Sequence, residues 1–475
     1  MKLTELIQAI KNRNKLLTKD GYDFLIEKID HIDVGRLLED IAKQDEPFID
    51  SNFLRRYVEE KEEAIDHPIK VVYNPGSSIT RGEGLKEFSS LIRYRYNYLK
   101  KFIQKRMKIR APDVLATLTL EKKPYYNVIG LVYSKRIKKD RMIIELEDET
   151  SIKEIYISKR YNARVFEILY KIPLDSVIGL KVRLLKDKYL VADDVYLPIT
   201  EYEEYNLNED IYAVFTSDLH VGSEKFLEDQ LKLFIDMLNG KNLDNEVLQD
   251  IIPRIRYLLI AGDCVDGIGV FPGQEKELVI SDIRKQYQHL YHLLKRVPDR
   301  IKIIIIPGNH DAARKSLPQP PIIEEYAYDF YNDNRFIMLG NPVNIDLHGV
   351  NIYMYHGDFL QDAFTMIPGT TQENIANAMK VLLMVRHAAP TFGGLTRIAP
   401  EPVDKLIIPE KINIFHTGHV HRISVDKYNN ILMINSGTWQ LQTDYQKMNG
   451  YNPTPGIVPI VNLRTQKVFL LNLME

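Results

Sequence analysis

Residues 301–311 read IKIIIIPGNHD, and residues 412–421 read INIFHTGHVH. Each is an apolar run of strand length that ends abruptly in amide, imidazole and carboxylate side chains. A run without polar alternation predicts a strand buried on both faces, and open α/β sheets place their sites at the carboxyl ends of such strands. The pattern recurs three more times. Ile211 to Thr216 runs into Ser217-Asp218-Leu219-His220, Tyr257 to Ala261 into Gly262-Asp263-Cys264-Val265-Asp266, and Asn351 to Tyr355 into His356-Gly357-Asp358. Five such strand ends, with helical stretches between them, predict a layered α/β domain from about Tyr205 onward.

Taken singly, each fragment is ordinary, because Asp-x-His caps turns and Gly-Asp or Gly-Asn are common turn residues. Their joint order carries the information. D-x-H, G-D-x-x-D, G-N-H-D, a lone His and G-H-x-H, in that sequence, resemble the calcineurin-like metallophosphoesterases over roughly residues 211–440. The resemblance implies an α/β/β/α domain binding two divalent metal ions. It puts Asp218, His220, Asp263 and His421 on one ion, and Asp263, Asn309, His356 and His419 on the other, with Asp263 bridging. His310 would face the scissile phosphate and protonate the leaving oxygen from a pKa near neutrality, oriented by Asp218 or Asp311. Phosphodiesters are anionic and resist attack, which is why paired cations are used on them. Imidazole and carboxylate donors suit manganese, iron or zinc better than calcium, and manganese is expected here.

The remaining histidines fall outside these motifs. His31, His67, His289, His292 and His348 are expected to be solvated or core residues, and His416 to pack beneath the site. Arg386-His387, in VRHAAPTFGG, has two readings, one as a phosphate-binding pair and one as packing. A single cysteine, Cys264, excludes intrachain disulfides and thiolate clusters.

Upstream, residues 1–60 carry short helical patterns and predict a small helical module. Residues 61–84, with Asn74-Pro75-Gly76-Ser77-Ser78, have turn chemistry without periodicity and are expected to be a linker. From Leu85 to Met107 apolar residues recur at helical spacing, while Arg93, Arg95, Lys100, Lys105 and Arg106 crowd the other faces. This predicts a helix packed on the next domain with a solvated basic side, or one that contacts phosphates. Residues 112–198 read as five short strands with a helix, Tyr161 to Tyr170, between the third and fourth, the order of an OB-fold barrel. The expected architecture is therefore multidomain α+β: a helical module (1–60), a linker (61–84), a basic helix plus OB-fold domain (85–200) and a phosphoesterase domain (201–475).

An OB-like domain directly before a phosphoesterase domain resembles the B-subunit family of DNA polymerases, and within it the small subunits of archaeal family-D polymerases. Val128-Ile129-Gly130-Leu131-Val132, Glu147-Asp148-Glu149-Thr150, Val177-Ile178-Gly179, Arg314 to Pro321, Trp439 to Gln446 and Pro453 to Gly456 carry that likeness. It covers about residues 85–475, and every ligand position is filled, which places the chain with the archaeal members. One departure is VRHAAPTFGG, where that family more usually has a bulky residue after Arg-His. The resemblance implies a 3′-to-5′ exonuclease that serves as the proofreading subunit beside a separate large polymerase subunit, acting on single-stranded or mispaired 3′ ends of DNA. The barrel and the segment around Trp439, the lone tryptophan, are expected to form the large-subunit interface. Two alternatives are a non-catalytic scaffold and a stand-alone phosphatase. Net charge is −2, so bulk electrostatics do not hold DNA and local patches or the partner must. No apolar run is of membrane length, and a cytoplasmic location is expected.

Overall fold

The computed structural model describes residues 3–13, 15–28, 34–43, 47–55, 69–78, 84–118, 123–186, 188–243 and 245–474. His31 and His67 lie outside the described residues. The chain divides into two units, Met1–Asp66 and His67–Glu475.

The first unit is helical, as expected, with helices Leu3–Lys11, Lys19–Lys28, Val34–Lys43 and Ser51–Arg55. Leu6, Ile10, Leu25, Leu37 and Ile41 share one buried cluster. A short parallel pairing joins Leu16–Leu17, after the first helix, to Phe48–Ile49, before the last. Runs of two residues are too short for a periodic signal, so this pairing was not legible in the sequence.

In the second unit, five strands close into a barrel. Their spatial order is Tyr126–Lys138, Arg141–Glu147, Ile152–Ser158, Tyr189–Tyr196, Val177–Leu185 and back to the first. Helix Ala163–Lys171 lies between the third and fourth strands in sequence, started by Asn162, whose side chain accepts from the Val165 N–H. Alternating residues such as Val128, Ile144, Ile155 and Leu180 fill the interior.

Helix Leu85–Met107 packs on this barrel through Tyr96, Leu99 and Ile103, against Ile129 and Val177. Gly179 permits the approach, since a Cβ there would lie 2.4 Å from Ile103. Arg95 departs from the solvated face expected of it. It is 1% exposed and its Nε donates to Asp404 Oδ2 at 2.6 Å. Its Nη1 also donates to the carbonyls of Asp175 and Pro390. A guanidinium at this depth persists because a carboxylate meets it there, which helical periodicity cannot reveal.

The remaining chain forms two six-stranded sheets. One has Tyr212–Thr216, Ile255–Ala261, Lys302–Ile306 and Phe336–Met338 in parallel, extended by the antiparallel strands Ile457–Asn462 and Val468–Asn472. The other runs Ile423–Tyr428, Ile431–Ser436, Ile414–Thr417, Val350–Met354, Val343–Leu347 and Ile69–Tyr73. A core of Ala213, Phe215, Leu259, Ile304, Ile345, Ile352 and Ile414 lies between the sheets. Helices Glu228–Leu238 and Ile283–Leu294 cover one outer face, and helices Phe359–Met366 and Ile375–Val385 the other. The layers are thus helix, sheet, sheet, helix. Strand Ile69–Tyr73 falls in the stretch expected to be a linker: it pairs antiparallel with Val343–Leu347 at the sheet edge. Its pairing partner is some 270 residues away, so local turn chemistry could not disclose it.

Candidate metal centre

Three of the motif loops follow neighbouring parallel strands of the first sheet, and two follow neighbouring parallel strands of the second. The two sheets therefore bring all five carboxyl ends to one edge. Close approach between the loops requires glycine at two of the motif positions. A Cβ on Gly308 would stand 2.2 Å from Asp263 Oδ1, and one on Gly418 2.5 Å from Asp218 Oδ2. Asp218, His220, Asp263, His419 and His421 all carry φ between 50° and 70°. Left-handed backbone at five non-glycine residues costs on the order of 1–3 kcal/mol each and persists only where the surroundings enforce it, a habit of functional sites.

Seven side chains converge. On one side, His421 Nε2 lies 3.3 Å from Asp218 Oδ1 and 3.0 Å from His220 Nε2. On the other, His356 Nε2 lies 3.3 Å from Asp263 Oδ2, 3.1 Å from Asn309 Oδ1 and 3.2 Å from His419 Nδ1. Asp263 stands between the two groups, its Oδ2 also 3.8 Å from His220 Nε2. Asp218, His220 and His421, and likewise Asp263, His356 and His419, each offer donor atoms within 4.8 Å of one another.

Supporting contacts fix which nitrogens face inward. His356 Nδ1 donates to the Ala261 carbonyl at 2.8 Å, and His220 Nδ1 donates to Asp266 Oδ1 at 3.0 Å. With those protons committed outward, the Nε2 atoms face carboxylate and amide oxygens, as lone pairs where the rings are neutral and as N–H donors where they are protonated. Inward-facing acceptors of this kind need positive charge among them, and a set of imidazole, carboxylate and amide donors fits divalent metal. The electrostatics agree. Burial pushes both carboxyls up, yet His421 beside Asp218 and His356 beside Asp263 outweigh it, holding Asp218 below and Asp263 well below the usual carboxylate range. Burial alone would lower His356, but Asp263 overrides it and raises His356 well above the ordinary imidazole value.

His310 stands beside this group, and it too offers a donor atom within 4.8 Å of those of His220 and Asp263. Its backbone N–H donates to Asp263 Oδ1 at 2.8 Å, and its ring stands 4.6 Å from that of His220. The ring is oriented by neither Asp218 nor Asp311: Nδ1 donates to the Asp266 carbonyl at 2.8 Å. Burial lowers its pKa to about 4, below the neutral value expected of it. Asp311 instead brackets two loops, accepting from the N–H groups of Gly308, Cys264 and Val265 and from the Tyr287 hydroxyl. Burial, reinforced by Asp263, raises its carboxyl to about 6.

Asp266, the second Asp of G-D-x-x-D, had no role assigned from sequence. It holds His220 and accepts from Gln274 and Gln440. Gln446 meets His421 Nδ1 at 2.8 Å. The motif spacing named Asp266; nothing local pointed to the three glutamine contacts. His416 packs beneath the site as expected, bonded to the Ser436 hydroxyl and edge-on to Phe215. The phosphate-binding reading of Arg386-His387 does not hold. Both are buried, His387 donates to Asp404, and Arg386 lies over the Phe102 ring. Trp439 is likewise no surface anchor: it is 2% exposed, packs against Phe234 and donates from Nε1 to Thr216 Oγ1 at 2.6 Å.

A two-sheet α/β unit with this centre and a five-stranded barrel before it defines a class, and residues 213–418 match the model of the B-subunit family of DNA polymerases alpha and epsilon. Relatives are similar over much more of the chain. A DNA polymerase II small subunit of Thermoplasma acidophilum is 31% identical, covering 98% of this chain and 92% of its own length. That of Methanothermobacter thermautotrophicus is 37% identical, covering 82% and 80%. The chain belongs to the DNA polymerase II small subunit family. That of Pyrococcus horikoshii is 38% identical over 81% of this chain, which spans 62% of that relative's length. Among the described residues, no helix is long and apolar enough to cross a membrane.

Proposed function

We propose that this chain is the 3′-to-5′ exonuclease subunit of a two-subunit DNA polymerase, removing mispaired or single-stranded 3′ ends while a separate large subunit synthesises. The observation that carries this reading is the convergence of four imidazoles, the Asn309 amide and two ionised carboxylates, with Asp263 between the two groups and His310 beside them. Asp218, His220, Asp263 and His421 would hold one divalent ion, and Asp263, Asn309, His356 and His419 the other, manganese being the best match to this donor set. Two such cations supply charge neutralisation and water activation for phosphodiester hydrolysis.

The chain's own residues do the rest. Asp266 and the Ala261 carbonyl fix the tautomers of His220 and His356, so that each presents a lone pair inward. His310, with Nδ1 committed to the Asp266 carbonyl, presents Nε2 to substrate. Its resting state is neutral. An anionic phosphodiester arriving beside it raises its pKa, allowing Nε2 to take up a proton and pass it to the departing 3′ oxygen. The barrel, whose strand order and inserted helix are those of an OB fold, is proposed as the docking domain for the large subunit. Residues 85–200 and 201–475 are proposed as the OB-fold and phosphoesterase domains, the latter of the calcineurin-like type.

The test uses the complex with its large subunit, with and without manganese, on single-stranded and mispaired 3′ ends, beside His310→Ala. Metal-dependent excision that falls about a hundredfold or more in His310→Ala, with both ions retained and primer extension intact, is expected. Absence of excision under every condition overturns the reading in favour of a scaffold. Faster cleavage of a small phosphomonoester than of single-stranded DNA overturns it in favour of a phosphatase.

A further inference from the structure

The metal-site residues line a cleft of about 250 Å³ whose remaining walls have a different character. Phe271 and Tyr445 stack on one another, with ring centroids 5.5 Å apart and planes 28° from parallel. Phe271 also stands 6.5 Å from the His310 ring. Facing groups are uncharged amides and a phenol: Gln361 donates to the Tyr451 hydroxyl at 3.0 Å, and Gln372 lies near them. Among the described residues, no lysine or arginine lines this cleft. An adjoining groove of about 350 Å³, which shares Val270, Asn309, Gln361 and His419 with it, carries Lys315 and Arg397 beside Asp358. The metal residues thus sit between a basic groove and a neutral aromatic cleft.

Basic grooves track phosphates, whereas aromatic faces beside amide donors and acceptors suit flat polar rings. Tyr445 has a defined mount. It belongs to helix Asp444–Met448, fixed by a Thr443–Gln446 capping box, and the adjacent Gln446 contacts His421. Yet Tyr445 remains 42% exposed, so its ring is available to a ligand.

We propose that the Phe271–Tyr445 wall binds the single unpaired nucleobase of the terminal nucleotide while its phosphate lies at the metal-site residues. This rests on the phosphodiesterase reading above and adds the substrate feature that is recognised. A terminal base that stacks on this wall while its phosphate lies at the metal-site residues has left its partner, so a paired end must first open. Opening costs least at a mismatch, which turns a general stacking site into a selector of mispaired ends. Every base has a π face, so recognition is tolerant of sequence.

The test is equilibrium binding to the manganese-loaded chain of dAMP, dTMP and deoxyribose 5-phosphate, by calorimetry and without turnover. The two nucleotides should bind about tenfold or more tighter than the sugar phosphate, and within a few-fold of one another. In Tyr445→Ala and in Phe271→Ala/Tyr445→Ala that preference should collapse toward one, while Tyr445→Phe and Phe271→Trp keep it. Equal affinity for all three ligands in the unmodified chain, including no measurable binding of any, overturns the proposal, as does a preference that survives both alanine variants. The two readings fail separately. Base-dependent binding without DNA cleavage defeats the exonuclease reading alone, and excision of abasic and base-bearing ends at equal rates defeats the nucleobase site alone.

Discussion

Asp266→Asn changes one atom and should weaken metal binding on one side of the centre. In the protein as it stands, Asp266 Oδ1 accepts from His220 Nδ1 at 3.0 Å and from Gln440 Nε2 at 3.1 Å, while Oδ2 accepts from Gln274 Nε2 at 2.9 Å. Asparagine has one acceptor oxygen. If it keeps His220 and Gln440, its NH2 faces the NH2 of Gln274. Gln274 cannot rotate away without loss, because its Oε1 already accepts from the Val270 N–H at 2.9 Å. One donor is left unmet in a buried place, at a cost of about 1–3 kcal/mol to the fold. His220 also loses the anion that holds its tautomer and raises its basicity. Loss of such a supporting partner typically costs 10–100-fold in metal affinity, or roughly 1.4–2.8 kcal/mol at 1.4 kcal/mol per tenfold. The loss should be confined to the ion that Asp218, His220, Asp263 and His421 would hold, because His356 is oriented by a backbone carbonyl instead. Calorimetric titration of manganese into the folded variant should therefore show one site weakened and one nearly unchanged, with a thermal melt reporting the cost to the fold. A folded Asp266→Asn chain whose two affinities both stay within about threefold of the parent would refute the reasoning.

Three further outcomes are expected. Asp263→Ala should lose more activity across a manganese titration than His421→Ala, because Asp263 stands between both groups of donors; equal losses would remove it from the bridging position. Arg95→Met should cost about 3–5 kcal/mol near pH 7, since it takes the guanidinium from the buried Asp404 carboxylate and leaves it only the His387 and Leu406 N–H donors, and denaturant melts of the single and double (Arg95→Met/Asp404→Leu) variants would measure it. The same cluster sets a pH dependence. Asp404 lies below its usual range because Arg95 and His387 outweigh burial, so its contribution is present above the unfolded value, near 3.9, and is lost as pH falls through the folded one. His387 is lowered by burial and by Arg95, so the unfolded chain takes up its proton first and stability also declines below about pH 6.5. The gap between parent and Arg95→Met should accordingly narrow on acidification, and a constant gap would count against the pairing. Trp439→Ala should reduce stability by about 3–5 kcal/mol, read by thermal melting, with large-subunit affinity unchanged in the chain that remains folded.

The site was legible to the extent that it is local. Strand-length apolar runs followed by D-x-H, G-D-x-x-D, G-N-H-D and G-H-x-H are contiguous in the sequence, and strand ends aim such residues at one edge of a sheet, so the motifs were legible locally and the family resemblance they carry named all seven proposed ligands and His310. The barrel was legible for the same reason, its five strands and intervening helix following one another along the chain. What the sequence alone could not decide depends on partners far apart in it. The burial of Arg95 is set by Asp404, 309 residues on; the place of strand Ile69–Tyr73 by Val343–Leu347; and the interior position of Trp439 by Thr216. A charge at a polar helical position and a lone tryptophan look the same whether solvated or paired, because side-chain type records what a residue can bond and not where its partner lies. The orientation of His310 was settled by a backbone carbonyl, a group every residue carries, so no residue-type pattern marks which carbonyl accepts. The aromatic cleft joins residues 271, 361 and 445 from three separate loops and helices, and only the packing of the two sheets brings them to one wall.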